Sequence, residues 1–217
     1  MSAKEQKVDK NALSERIADL YDLLVTAEDI HEITGNPPTT DMERVFSLEP
    51  VEGYDVNIGK GNFDYRKIYD EINLLYLRFL REVILDYARR TMESGVEFIS
   101  FILRNGEYAI FEGEEDKVEI PMPKGVAQVH THPGICVFSA KDLETADSLF
   151  IRGYVTVAVM NPRCLSVIYR RGVYTPEDQE DLKKLMKATS KAKNLDDIKS
   201  AYSSFKPPNL IFSNLPV

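Results

Sequence analysis

Tryptophan is absent from this 217-residue chain, and glutamine occurs only at Gln6, Gln128 and Gln179 while Glu and Lys are abundant. That bias leans toward heat-adapted proteins. Cysteine is nearly absent as well. Cys136 and Cys164 are not spaced as Cys-x-x-Cys, and two are too few for a disulfide framework, so both are expected to be reduced thiols of a cytoplasmic protein. No apolar run reaches about 18 residues, which excludes a helical membrane span. The opening MSAKEQKVDKNALSER has no apolar stretch, so no secretory signal is expected. A basic surplus is missing too: 35 acids against 27 bases give a net charge of −8, which argues against nucleic acid as a partner, since phosphates need Lys and Arg. There is no internal repeat, no Gly-x-x-x-x-Gly-Lys-Ser/Thr, no Gly-x-Ser-x-Gly, and no His-x-Glu with Pro-Cys-x-x-Cys. P-loop nucleotide chemistry, the serine-hydrolase elbow and nucleobase deamination are thereby set aside. What is left is an ordinary globular composition, 43% hydrophobic and 29% charged, on a chain long enough to bury a core without staples.

Periodicity organises the rest. Leu13, Ile17, Leu20, Tyr21 and Leu24 recur at helical spacing, and Gly35-Asn36-Pro37-Pro38 stops that helix. Residues 36–63 read as loop, with a short edge strand near Val45–Leu48. A second helix from Asp64 to about Met92 carries the stripe Ile68, Ile72, Leu75, Tyr76, Phe79, Val83 and Tyr87, ending before Gly95. Its tyrosines, Tyr65–Tyr87, read as core and interface, compatible with a homo-oligomer. Val96–Leu103 and Tyr108–Phe111 are strands joined by the turn Asn105-Gly106. Val118–Ile120 and Val126–His130 are further strands, Ser139 opens a helix to about Phe150, and Tyr154–Met160 pairs with Leu165–Tyr169. Thr175-Pro176-Glu177-Asp178 starts another helix with a cap, a first-turn proline and an acid. The tail Phe205–Val217 carries three prolines and reads as irregular. The chain thus divides into a helical extension and linker (1–60), a mixed α/β domain (64–190) that should fold without the extension, and a C-terminal helix with an irregular tail (191–217).

Two of the three histidines, His130 and His132, sit two apart in a strand. Residues i and i+2 share a face, so the imidazoles emerge side by side while Thr131 points away. Two such imidazoles are two thirds of a catalytic zinc site, which uses three protein ligands and keeps one position open. Asp142, ten residues beyond His132 in the first turn of a helix, is placed to be the third ligand. Ser139-Ala140-Lys141-Asp142 is at the same time a plain capping box. Cys136, between the ligands, reads as a small apolar residue or as a fourth, soft ligand. His31, among acids, reads as a surface residue.

The run His130-Thr131-His132-Pro133, then Gly134-Ile135-Cys136-Val137-Phe138, then Ser139-Ala140-Lys141-Asp142 resembles the zinc-binding motif of the JAMM (MPN or JAB) metalloprotease family. That motif reads His-Ser/Thr-His-Pro, six residues, Ser, two residues, Asp. It also requires a Glu early in the first strand after a long helix, in a pattern like Glu-x-x-Gly-x-Leu-x-Gly, and Glu97 matches by position and context. The resemblance covers about residues 68 to 170. Two places depart from it. The loop 134–138 has five residues rather than six, and Ser100 stands where the family usually has Gly.

The resemblance implies an MPN/JAB-like α/β (α+β) fold, a mixed central sheet flanked by helices, here with a helical N-terminal extension. It implies Zn2+ held by His130, His132 and Asp142. Glu97 would act as general base and acid, and Ser139 would donate a hydrogen bond to the oxyanion. The reaction implied is hydrolysis of a peptide or isopeptide bond, at the C-terminus of a ubiquitin-like or sulfur-carrier protein in prokaryotic members. Only a helix, two strands and a helix follow Asp142, so a compact stand-alone enzyme is expected rather than a chain-linkage specialist. Two alternatives belong to other classes. A metal-free MPN scaffold or assembly subunit would ordinarily have lost ligands that this chain retains. A RadC-like protein near DNA is disfavoured by the acidic charge.

Overall fold

A computed structural model describes residues 5–34, 65–113 and 123–217. The loop expected at 36–63, the edge strand near Val45–Leu48 and the strand Val118–Ile120 fall outside the described residues. Seven strands form one mixed sheet in the order β1-β3-β2-β4-β5-β6-β7. These are β1 (Gln6–Lys10), β2 (Phe98–Leu103), β3 (Glu107–Glu112), β4 (Gly125–Thr131), β5 (Thr156–Met160), β6 (Cys164–Arg170) and β7 (Leu210–Pro216). Every neighbouring pair is antiparallel except β4 with β5. A parallel pair cannot be closed by a hairpin and needs a crossover, which helix α4 (Ala140–Ile151) supplies.

Helices cover both faces. On one side lie α1 (Ala12–Thr34) and a continuous helical rod made of α2 (Arg66–Phe79), a π-helical turn (Leu80–Ile84) and α3 (Leu85–Ser94). They pack on Phe98, Ile102, Ile110, Val129, Ala158 and Val167. On the other side α4, α5 (Pro176–Lys191) and α6 (Leu195–Ser204) cover Phe101, Val157, Val159 and Ile168. Strand β4 lies centrally with helices over both faces, which is why Gly125–Val129 are all buried, Gln128 included. Among the described residues no helix is long and apolar enough to cross a membrane.

In the secondary structure and packing, the structure departs from the sequence expectations at four places. Strand β1 was not expected: Gln6–Lys10 is exposed throughout, so it shows no alternation, and it joins the sheet edge through its ladder with β3. The tail is not irregular. Leu210–Pro216 pairs antiparallel with β6, from Leu210 opposite Arg170 to Pro216 opposite Cys164. Its proline sits at the end of an edge strand, where no ladder donor is lost. The stripe of the long helix shifts by one residue beyond Phe79, so that Leu80, Ile84, Ala88 and Thr91 are buried while Val83 and Tyr87 are only partly so. A π turn takes one extra residue, which rotates everything downstream. Lastly, the described part of the 1–60 extension is not separate from the domain. Ile17, Leu20, Tyr21, Leu24 and Ala27 of α1 belong to the same core as α2 and the sheet, and buried Ser14 donates through Oγ to the Gly106 carbonyl at 2.6 Å. Gly106 is the hairpin glycine, at φ 81°.

Candidate metal centre

The site forms where the C-terminal end of β4 meets the N-terminus of α4. Alternation along β4 puts Gln128 and His130 on the α4 side and Val129 and Thr131 on the other. Thr131 turns away as expected: buried, its Oγ1 lies 2.6 Å from Thr91 Oγ1 of α3 and accepts from the Phe98 N–H at 2.8 Å. Just past the strand, the His132 N–H is held by the Met160 carbonyl at 2.8 Å. Ser139 caps α4 with both halves of a capping box. Its Oγ accepts from the Asp142 N–H at 3.2 Å, and its own N–H donates to Asp142 Oδ2 at 2.6 Å. The box turns the Asp142 carboxylate back toward the strand end.

Three donor groups therefore converge. His130 Nε2 and His132 Nε2 are 3.0 Å apart, His130 Nε2 is 3.1 Å from Asp142 Oδ1, and His132 Nε2 is 3.6 Å from Asp142 Oδ2. Their side chains are 14–17% exposed, so the cluster is largely shielded but still reached by solvent. Among the described residues these three are the one group of His, Cys, Asp or Glu side chains close enough to share a metal ion. Ligand bonds of about 2.0–2.1 Å in a tetrahedron imply ligand–ligand edges of roughly 3.3 Å, and the observed separations bracket that value.

The protonation states suit the same reading. The Ile135 carbonyl, 3.1 Å from His132 Nδ1, can only accept, so Nδ1 carries the hydrogen and a neutral His132 presents a bare Nε2. That is the tautomer a metal ligand needs. Burial first, and His130 second, push the His132 imidazole below its ordinary value, against the pull of Asp142 and Glu97. Burial would raise the Asp142 carboxyl, but the hydrogen bond and charge of His130 and the two bonds from Ser139 outweigh it and hold the group well below the usual carboxylate range. A His132 imidazole presenting a bare Nε2 beside an ionised Asp142 carboxylate suits a divalent cation.

Glu97 is exposed and immediately precedes β2. It is not part of the three-residue cluster, yet its charge acts on His132. Its carbonyl accepts from the Gly113 N–H at 2.7 Å, and the next residue, Phe98, is tied to Thr131 between the two histidines. Ser139 is exposed at the helix start with Oγ toward the Asp142 amide. Ser100 is buried and its Oγ has no hydrogen-bond partner among the described residues. His31 is only partly buried, with Nδ1 3.2 Å from Tyr65 Oη.

Cys136 and Cys164 correct the expectation of free thiols: they are bonded to each other, with Cα atoms 5.9 Å apart. This disposes of Cys136 as a fourth ligand. The two cysteines lie 28 residues apart, and only the return of the chain through α4 and β5 brings the start of β6 beneath the loop. Sequence reasoning also missed Asn161. Its Nδ2 donates to the Gly134 carbonyl at 2.6 Å, while its Oδ1 accepts from the Arg163 and Cys164 N–H groups. The available signal was an Asn-Pro turn before a cysteine.

No protein-family model and no curated protein matches this chain.

Proposed function

We propose that the chain is a zinc-dependent metallopeptidase or isopeptidase of the JAMM kind that its motif resembles. The observation that supports this best is the convergence of His130 Nε2, His132 Nε2 and the Asp142 carboxylate at 3.0–3.6 Å, with Ser139 at the cap beside them and Glu97 at the head of the neighbouring strand. Zinc bound by these three groups supplies Lewis acidity, lowering the pKa of a water and polarising a carbonyl. The chain's own residues do the rest. The Glu97 carboxylate takes a proton from the attacking water and returns it to the departing amine as the C–N bond breaks. Ser139 Oγ–H donates to the carbonyl oxygen, on which negative charge develops. Asp142 is kept ionised by its Ser139 and His130 contacts, and His132 is kept in one tautomer by the Ile135 carbonyl.

The substrate class is a protein or peptide, with the C-terminus of a ubiquitin-like or sulfur-carrier protein as the first candidate. The alternative, a metal-free scaffold subunit, has no use for three donor groups converging within 3.0–3.6 Å. Two measurements test the reading. Purified protein should contain about one zinc per chain by elemental analysis. It should also release the leaving group from a ubiquitin-like domain fused through its C-terminal carboxyl, with loss of cleavage on chelation and return on adding zinc. Protein that takes up no zinc at neutral pH overturns the proposal.

A further inference from the structure

The loop between Pro133 and Ser139 is tethered more heavily than a five-residue connection requires. Its Gly134 carbonyl accepts from Asn161 Nδ2 at 2.6 Å. Its Cys136 is disulfide-bonded to Cys164 at the start of β6. The Cys136 carbonyl accepts from Ser166 Oγ and, at 3.5 Å, from Asn214 Nδ2, which also donates to Ser166 Oγ at 2.8 Å. Between the first two anchors lies Ile135, whose side chain is 51% exposed and whose carbonyl holds His132 Nδ1. The backbone of His132 is fixed separately by the Met160 carbonyl, so what the loop governs is the orientation and tautomer of the ring.

We infer that the Cys136–Cys164 disulfide is a positioning device for His132, and that the thiol–disulfide state of this pair sets the metal affinity of the site. The inference rests on the metal-centre reading and adds its control. Cys136 is 1% exposed, whereas Cys164 is only partly buried, so Cys164 is the more exposed half of the disulfide and the one a small thiol attacks. A thiolate attacks Cys164 Sγ, the disulfide breaks to a mixed disulfide, and Cys136 leaves as a thiolate that takes up a proton. A second thiol then displaces Cys164, giving two protein thiols and one small-molecule disulfide. Two electrons and two protons pass to the protein from a thiol reductant, and a small disulfide reverses the exchange. With the covalent tether cut, the Cys136 side of Ile135 is held only by the hydrogen bonds from Ser166 and Asn214 to the Cys136 carbonyl, the His132 Nδ1 contact loosens, and the ring loses its preset tautomer. Removing such outer support from a ligating histidine typically weakens metal binding about 10–100-fold.

The experiment compares three forms of the full chain at one pH. These are the oxidised protein, the same protein reduced and exchanged into oxygen-free buffer, and Cys136→Ala/Cys164→Ala, which cuts the tether without offering new thiol ligands. Zinc affinity is measured by competition with a chromophoric chelator, and the His132 tautomer by 15N NMR of the metal-free protein. The oxidised form should bind zinc about 10–100-fold more tightly than both others and show the single Nδ1–H tautomer, which the untethered forms lose. Affinities equal within twofold, or an unchanged tautomer, overturn the inference while leaving the metal reading standing. If the oxidised protein binds no zinc at all, both fall. If the double variant does not fold, the reduced wild type decides between these outcomes.

Discussion

His132 carries two of the site's properties on one ring, and its substitution separates them. His132→Ala removes one of three donors, so zinc content should fall from about one per chain to well below a tenth. The melting temperature of the metal-free protein should change little, since the core on either side of β4 does not include the imidazole. The pH dependence of the metal-free protein follows from the same residue. The folded protein holds the His132 pKa below its ordinary 6.5. As pH falls the unfolded chain therefore takes up this proton first, and stability present above 6.5 erodes as pH drops through and below that value. Asp142, held below its ordinary 3.8, contributes stability above that pH and loses it only at lower pH, so it is silent between pH 7 and 5. Melting temperatures of metal-free wild type should decline over that interval, and those of His132→Gln should decline less. For Glu97, which stands outside the donor cluster, Glu97→Gln should keep zinc and melting temperature near wild type while lowering turnover about 10²–10⁴-fold. Loss of zinc in that variant would make Glu97 part of the metal's support instead.

Among the elements, the π turn and the disulfide have measurable consequences. The π turn rotates α3 so that Thr91, and not a neighbour, faces β4, where its hydroxyl meets Thr131. Thr131→Val keeps shape but leaves the buried Phe98 N–H and the Thr91 hydroxyl without their partner. Chemical denaturation should show a loss of about 1–3 kcal/mol, and the head of β2, with Glu97, should exchange amide hydrogens faster. The disulfide closes a loop with a sequence separation of 28. On the chain-entropy account its removal costs roughly 3–4 kcal/mol, to be read as the difference in unfolding free energy between oxidised and reduced protein. A difference near zero would mean that the loop's hydrogen bonds to Asn161, Ser166 and Asn214 hold β6 and the loop together unaided.

At the scale of the whole molecule, α1 and β1 complete the fold. Ile17, Leu24 and Ile30 are fully buried and Tyr21 nearly so. Below them Arg170, 4% exposed, pairs with Glu28 at 3.2 Å and lies over the Tyr69 ring, linking α1, α2 and β6. Leu24→Ala should cost about 2–5 kcal/mol, as core truncations do. Deleting residues 1–34 should abolish the cooperative melting transition, because it uncovers part of one face of the sheet and removes the carboxylate partner of the buried Arg170. A soluble, cooperatively melting fragment beginning near residue 64 would show instead that the domain closes its own core.

The local features of this chain were legible in its sequence because they depend on near neighbours. Strand alternation places His130 and His132 on one face and Thr131 on the other. Ser139 and Thr175 announce their helices through capping boxes that form as the spacing requires. Gly95 and Gly106 stand where the backbone takes positive φ, which residues with a Cβ rarely do. Tertiary structure decided what depends on distant partners. β1 and β7 have little pattern of their own and become strands only because β3 and β6 offer open edges. The face of the long helix beyond Phe79 was set by packing strong enough to impose a π turn. The pairing of Cys136 with Cys164 was decided when the β4–α4–β5 crossover delivered β6 beneath the His132 loop, since a contact between residues 28 apart leaves no mark on the local spacing of either.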